Sequence, residues 1–194
     1  MIYLTNHFTV TERAHLCAVM ARHPFATLVS AADGEPCFTH LPLVVRDSGD
    51  ALTLLGHIAR ANPHGDRLRE GDPVIVIFHG PNGYVSPRWY TTREAVPTWN
   101  YVVVHAHGRV TRVDDSAGKE RILKALIDAH DPAWRAQWDV ELSETFRERM
   151  KGAIVGLQIT VERLEGKFNL NPAVERAAEC VRRAGGLGAT TTQG

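Results

Sequence analysis

Residues 25–45 read FATLVSAADGEPCFTHLPLVV, and this stretch decides the fold. Residues 25–31 are predicted to form a strand, Asp33-Gly34 is a hairpin turn signal, and residues 37–45 supply the returning strand. Because proline cannot donate to a β ladder, Pro42 predicts an edge strand or a bulge at that point. The stretch therefore predicts an antiparallel hairpin near the start of a sheet.

The rest of the chain alternates further strands with a few helices. The pattern of Thr9 and Glu12 is a capping box and predicts a helix start, and a long structured loop is expected over residues 80–97. Strands are predicted over residues 51–57, 73–79, 100–113 and 153–164, and helices over residues 12–22, 59–70, 116–130, 143–150 and 171–184. Hairpin-length connections between most strands predict an α+β fold, an antiparallel barrel with peripheral helices.

The composition is that of a globular protein. The 194 residues are 44% hydrophobic and 23% charged, which excludes a disordered or collagen-like chain. The 22 basic and 22 acidic residues give a net charge of zero, so no overall field attracts nucleic acid or an anionic membrane. We expect one domain over residues 1–170, a terminal helix over residues 171–184 and a flexible tail over residues 185–194.

Cysteine usage and apolar run lengths predict a cytoplasmic protein without a membrane segment. Cys17, Cys37 and Cys180 are odd in number and widely spaced, which argues against a disulfide framework and fits a reducing compartment. The longest apolar runs have the length of strands, and residues 1–10 lack the pattern of a signal peptide.

Two segments could bind an anionic ligand. On one strand, Thr39 and His40 point to opposite faces; they could offer a hydroxyl and an imidazole to a ligand, or belong to an ordinary strand. At residues 56–64 a glycine precedes a helix-like start with Arg60 and Asn62. Such a segment could cradle a phosphate or form a plain turn with a solvated arginine.

A histidine pair and a concentration of aromatic residues are further candidates. His105 and His107 share one strand face and could hold a metal with further ligands among His40, His57 and His79, or could pack and hydrogen-bond without one. The aromatic side chains of residues 84–90 and 97–101 stand beside Ser, Thr and Asn. They suit a flat ring system with polar edges, and they suit a protein interface equally well.

Taken together, the ordered motifs resemble the PaiB family of FMN-binding negative transcriptional regulators. The resemblance covers about residues 1–170 and rests on residues 23–28 (HPFATL), 39–42 (THLP), 56–57 with 61–63 (GH and ANP), 77–78 with 80–81 (IF and GP), 84–90 (YVSPRWY), 96–101 (VPTWNY), 105–108 (HAHG) and 164–167 (LEGK).

This resemblance implies a split β-barrel like that of the pyridoxamine-phosphate oxidases, and a homodimer with two FMN sites at the subunit interface. The residues that it places near the phosphate or ribityl chain are Thr39, His40, Arg60 and Asn62, and His57 joins the cofactor-binding set. Those that it places near the isoalloxazine ring or across the interface are Ser86, Trp89, Trp99 and Asn100. These assignments follow from analogy of fold.

Several functions stay open at this stage. The family label implies a transcriptional regulator, although the zero net charge and the lack of a recognisable reading helix argue against direct DNA binding. A flavin-dependent oxidoreductase is one enzyme alternative. A second is a haem b enzyme, because the piperazate synthases resemble the PaiB family, bind haem through a histidine and close an N–N bond; His64 would then be the axial ligand.

Overall fold

The computed structural model describes Ile2 and residues 8–31, 34–90 and 94–170. Its main element is an eight-stranded antiparallel sheet. The strands are β1 (Thr9–Val10), β2 (Phe25–Ser30), β3 (Cys37–Pro42), β4 (Val44–Asp47), β5 (Leu52–Ala59), β6 (Pro73–Val85), β7 (Thr98–Val113) and β8 (Ile154–Asn169). The helices are α1 (Arg13–Arg22), α2 (Pro63–Arg67), α3 (Ser116–His130) and α4 (Glu144–Gly152).

The order of the strands curls the sheet into a barrel that stays open along one seam. The order is β3-β2-β6-β7-β8-β5-β4, with β1 added beside β8. β3 and β4 follow each other in the chain but stand at opposite ends of this order, so the two edges approach each other at Leu43. That side chain is fully buried, and its N–H donates to the Pro24 carbonyl oxygen over 2.9 Å.

The main core fills the inside of the curled sheet. Side chains alternate along a strand, and the inward set of β2 and β6 includes Ala26, Leu28, Val76 and Phe78, each at most 1% exposed. Burying a side chain of the size of Phe78 contributes about 1.5–3 kcal/mol to the free energy of unfolding. This core fixes which residues of each strand face outward.

The helices pack around the sheet, as predicted for an α+β fold. α1 places Leu16 and Met20 into the main core. α3 lies over β4 and β5, where Ile122 and Leu126 form a second apolar cluster with Val44. Within the described ranges, no helix has both the length and the hydrophobicity that a bilayer crossing requires.

The hairpin that opens the sheet differs from the prediction in its second half. The predicted strand over residues 37–45 is two strands, because the chain leaves the sheet edge after Pro42. β3 pairs with β2, whereas β4 pairs with β5. Pro42 ends an edge strand, as predicted, and Asp33 of the expected turn lies outside the described residues.

Two other predicted boundaries move, and one predicted capping motif does not form. The helix expected over residues 59–70 is only the five-residue α2, since β5 continues to Ala59 and Pro63 occupies the first helical turn. The loop expected over residues 80–97 is strand as far as Val85. The predicted capping box is wrong, because Thr9 lies in β1 and Glu12 makes no side-chain cap to α1. Residues 171–194, with the predicted terminal helix, the tail and Cys180, lie outside the described part.

Candidate functional site

A buried hydrogen-bond network joins the THLP and ANP motifs. His64 in α2 is only 4% exposed. Its Nδ1 lies 2.8 Å from Thr39 Oγ1, and its Nε2 lies 2.8 Å from Ser30 Oγ. Asn62 caps α2, accepting from the His64 N–H over 3.0 Å, and its Nδ2 donates to Thr39 Oγ1 over 3.2 Å. Thr39 and Asn62 are therefore brought together.

The imidazole at the centre of this network is neutral and fully engaged. Burial, aided by the charge of Arg67, lowers the pKa of His64. A neutral ring with one donor and one acceptor nitrogen satisfies both hydroxyls. In this arrangement, neither ring nitrogen of His64 is left for iron.

His40 and Arg60, the other two residues predicted for the phosphate or ribityl chain, point elsewhere, and so does His57 of the cofactor-binding set. His40 lies on the opposite face of β3, where its Nδ1 is 3.0 Å from Thr27 Oγ1 and its ring stacks on Phe25. Arg60 Nε donates to the Gly152 carbonyl oxygen over 2.8 Å, and one of its terminal nitrogens donates to the Ile154 carbonyl oxygen over 3.1 Å. The guanidinium of Arg60 thus ties the end of α4 to the start of β8. His57 is half-buried on β5, and burial lowers its pKa.

The four residues predicted for the ring end share one projection, which we call the aromatic ribbon. It consists of residues 82–85 of β6 paired with residues 98–101 of β7, and the short 3-10 turn Pro87–Trp89 with its capping residue Ser86. The pairing shifts register between His79 and Asn82, which marks where the ribbon leaves the barrel. Asn169 of β8 donates from Nδ2 to the Trp99 carbonyl oxygen over 2.9 Å and holds its base.

The aromatic ribbon exposes large apolar side chains. Trp89 is 62% exposed and Trp99 is 52% exposed, and the Trp99 ring lies 6.2 Å from the ring of Tyr84, centroid to centroid. Ser86 is buried and caps the 3-10 turn by accepting from the Arg88 N–H over 3.3 Å. Exposed aromatic clusters of this kind mark ligand or protein contact sites.

Three contributors to these sites were not selected from the sequence. Ser30 is a β2 residue that reaches His64 only through the fold. Arg88 makes no ion pair with any described carboxylate, and Thr98 Oγ1 is buried with no hydrogen-bond partner among the described residues. Arg88 and Thr98 lie within the SPRWY and PTWNY motifs. Their position inside these motifs is the sequence feature that could have identified them as candidate site residues.

The comparisons with known proteins agree with this architecture. The family model described as "Putative FMN-binding domain" matches residues 2–163. The protease synthase and sporulation protein PAI 2 of Bacillus subtilis is 32% identical over 174 residues, 88% of this chain and 82% of that protein. The predicted PaiB resemblance is confirmed.

Solved structures show the same fold at low sequence identity. The flavocytochrome Anf3 from Azotobacter vinelandii superposes with a TM-score of 0.68 at 16% identity, covering 91% of this chain and 78% of that chain. The FAD and haem binding protein from Mycobacterium smegmatis gives 0.65 at 22% identity, covering 95% and 88%. The predicted split-barrel fold with peripheral helices is confirmed. The chain therefore belongs to the FMN-binding domain family, as a relative of the Bacillus subtilis PAI 2 protein.

Proposed function

We propose that the chain is a PaiB-like flavoprotein that binds FMN as a homodimer in the cytoplasm. The family match over residues 2–163 is the observation that supports flavin binding. A bound flavin supplies one- and two-electron transfer. The residues of the chain provide contacts to the ring, the phosphate and the subunit interface.

The aromatic ribbon carries groups that suit the ring and the phosphate of FMN. The exposed faces of Trp89 and Trp99 suit a flat isoalloxazine ring. Arg88 has no described carboxylate partner; its Nε donates over a long 3.5 Å to Ser86 Oγ, and its terminal nitrogens can serve a phosphate. The buried Thr98 hydroxyl gains the hydrogen bond that it lacks among the described residues.

We propose a homodimer because the residues predicted for the phosphate end and those predicted for the ring end are far apart within one chain. Thr39 of β3 and Val76 of β6 pair with the same residue of β2, so they lie level with each other across the sheet. Tyr84 lies eight residues further along β6, or about 25 Å at the usual rise of a strand. We propose that the aromatic ribbon of one protomer completes a flavin site on its partner, beside Thr39 and Asn62.

An FMN titration with matched tryptophan variants tests the flavin site. We expect Trp99→Ala to weaken FMN binding about tenfold or more, equivalent to about 1.4 kcal/mol. Trp134→Ala, which removes a partly exposed tryptophan near α3, is expected to leave the affinity unchanged. Quenching of FMN fluorescence gives the affinity, and light scattering after size exclusion gives the mass.

The outcomes separate the parts of this proposal. If the protein takes up no FMN, the proposal of flavin binding is contradicted. If both tryptophan variants lose the same FMN affinity, the assignment of the binding site to the aromatic ribbon is contradicted. A monomeric mass with FMN bound contradicts the homodimer. Bleaching of the flavin by a nicotinamide donor would identify an oxidoreductase, whereas salt-sensitive binding to duplex DNA would identify a direct regulator.

A haem enzyme is the second candidate, because one structural neighbour described above is named as an FAD and haem binding protein and the other as a flavocytochrome. The imidazole of His64 does not fit this role as placed, since Ser30 and Thr39 occupy its nitrogens. An intense Soret band on haem addition that disappears in His64→Ala would favour haem b over FMN. A spectrum that shows flavin bands alone would exclude this second candidate.

A further inference from the structure

The third candidate group, the HAHG motif, lies against a carboxylate that the sequence did not point to. His105 and His107 are two residues apart on β7, so their side chains share one face of the sheet. Glu165 of β8 stands directly opposite His105 in the ladder. The potential ligand atoms of these three residues all lie within 4.8 Å of one another. The histidines weighed from sequence as further ligands, His40 and His79 among them, are absent from this group.

The carboxylate of this group is buried and held ionised. Glu165 is 8% exposed. Burial opposes its ionisation, but hydrogen bonds from His107, the Ile2 N–H and Arg163 outweigh that effect and lower the pKa of Glu165 to about 2. Glu165 Oε2 lies 3.0 Å from His107 Nε2, while Oε1 pairs with Arg163. A charged oxygen is therefore turned toward the two imidazoles.

The imidazole of His105 has ring nitrogens that can bind a metal ion. The His105 imidazole makes no hydrogen bond to any described residue; its ring lies near that of His107, with centroids 6.4 Å apart. Burial, partly opposed by the charge of Glu165, lowers the pKa of His105. Neutral imidazole is the form that binds metal ions.

The backbone is bent at this point, next to an open groove. The register of β7 against β8 shifts between His107 and Gly108. A Cβ on Gly108 would overlap the carbonyl oxygen of Thr160, so only glycine permits this close approach. Bulges of this kind re-aim side chains beside functional sites. His107 and Arg163 also line a groove of about 620 Å³, which has the size of a small-molecule site.

We propose that His105, His107 and Glu165 form a site for one divalent transition-metal ion, with Zn²⁺ as the best match to the donors. Two imidazoles and one carboxylate are a known zinc donor set that leaves a fourth position for water or a ligand. Bond lengths of about 2.0–2.1 Å place tetrahedral ligand atoms roughly 3.4 Å apart, so the group needs to contract by little more than 1 Å. Arg163 on the second carboxylate oxygen would orient Glu165 for the metal.

Zinc counting on the full chain, free of any affinity tag, tests this site. After chelator treatment and dialysis against Zn²⁺, we expect one ion per chain. His105→Gln is expected to lower the Zn²⁺ affinity at least tenfold in competition with a chromogenic chelator. Co²⁺ bound to the wild-type protein should show visible absorption bands that His105→Gln and Glu165→Gln both lose.

A matched surface variant separates this site from adventitious binding. His15 on α1 also lies 3.0 Å from a carboxylate, that of Glu12, and is exposed. His15→Gln is expected to bind Zn²⁺ like the wild type. The proposal is overturned if no stoichiometric Zn²⁺ binds, or if His105→Gln binds as tightly as the wild type. Melting curves without metal confirm that the variants fold, and the outcome does not depend on whether FMN is bound.

Discussion

The Thr39 hydroxyl shows how one side chain joins two segments at the candidate site. It stands between His64 Nδ1 and Asn62 Nδ2, so it connects edge strand β3 to the short helix α2. Removing this hydroxyl leaves the buried His64 ring and the half-buried Asn62 amide without their partner, and that loss exceeds the worth of one exposed hydrogen bond.

We predict that Thr39→Val lowers the free energy of unfolding by about 1–3 kcal/mol. Thr27→Val is the matched control, because Thr27 is one strand away and its hydroxyl meets His40 at an exposed position. The control is expected to cost less than about 0.5 kcal/mol. Urea unfolding measures both, and equal losses would contradict the assignment of Thr39 to a buried network.

His57 gives a prediction for the pH dependence of stability. Its folded-state pKa is lowered by burial from an ordinary value of 6.5. The unfolded chain therefore binds more protons than the folded chain below about pH 6.5, and stability is lost as the pH falls through that range.

The wild type should therefore lose more stability than His57→Leu between about pH 7.5 and 5.5. The other buried histidines remain in both proteins and cancel in the comparison. Urea unfolding at the two pH values gives the four free energies that are needed. A pH dependence that is unchanged by the substitution would show that His57 does not resist protonation.

At this scale the sequence predicts which face a residue occupies better than what it contacts. Alternation along a strand correctly separates Thr39 from His40. The partner of Arg60 could not be predicted, because the carbonyls of Gly152 and Ile154 are some 90 positions away in the chain. The approach of Glu165 to His105 likewise depends on the register of two long strands.

At the scale of elements, strands and helices were predictable where periodicity or capping signals are strong. α3 matches its predicted range, and β2 and β7 nearly do. The errors fall where long-range pairing overrides local signals. β6 continues through Gly80, Pro81 and Gly83 because it pairs with β7 as far as Val85 and Thr98.

The two ends of α3 give a prediction with a built-in control. Asp115 caps its start, with Oδ1 accepting from the Gly118 N–H over 2.7 Å, whereas Asp131 follows its last turn and caps nothing there with its side chain. Asp115→Ala should lower the free energy of unfolding by about 0.5–2 kcal/mol. Asp131→Ala should leave it unchanged or raise it slightly, because an acid opposes the helix dipole at that end. Equal effects would contradict the capping role.

At the scale of the whole molecule, binding and stability are linked by mass action. A ligand that binds only the folded chain stabilises it by about 2.7 kcal/mol at a hundredfold excess over its dissociation constant. The proposed pairing of Arg88 with the FMN phosphate makes this linkage specific, since riboflavin carries the same ring without a phosphate.

We predict that FMN raises the melting temperature by several degrees and that riboflavin at the same concentration raises it less. Arg88→Ala should remove most of the difference between the two ligands while retaining the smaller riboflavin shift. Differential scanning fluorimetry with an extrinsic dye, or circular dichroism, reads both. Equal shifts for FMN and riboflavin in the wild type would show that the phosphate is not bound.

The connection of β3 to β4 through Leu43 also affects how the chain avoids aggregation through its sheet edges. An edge strand offers unpaired backbone groups that can recruit a second molecule into a growing fibre. Here the two edges of the main strand order belong to one short segment and turn toward each other across the seam. Cutting or loosening that segment would separate the edges, so a backbone nick near Leu43 should promote aggregation even where the core stays folded.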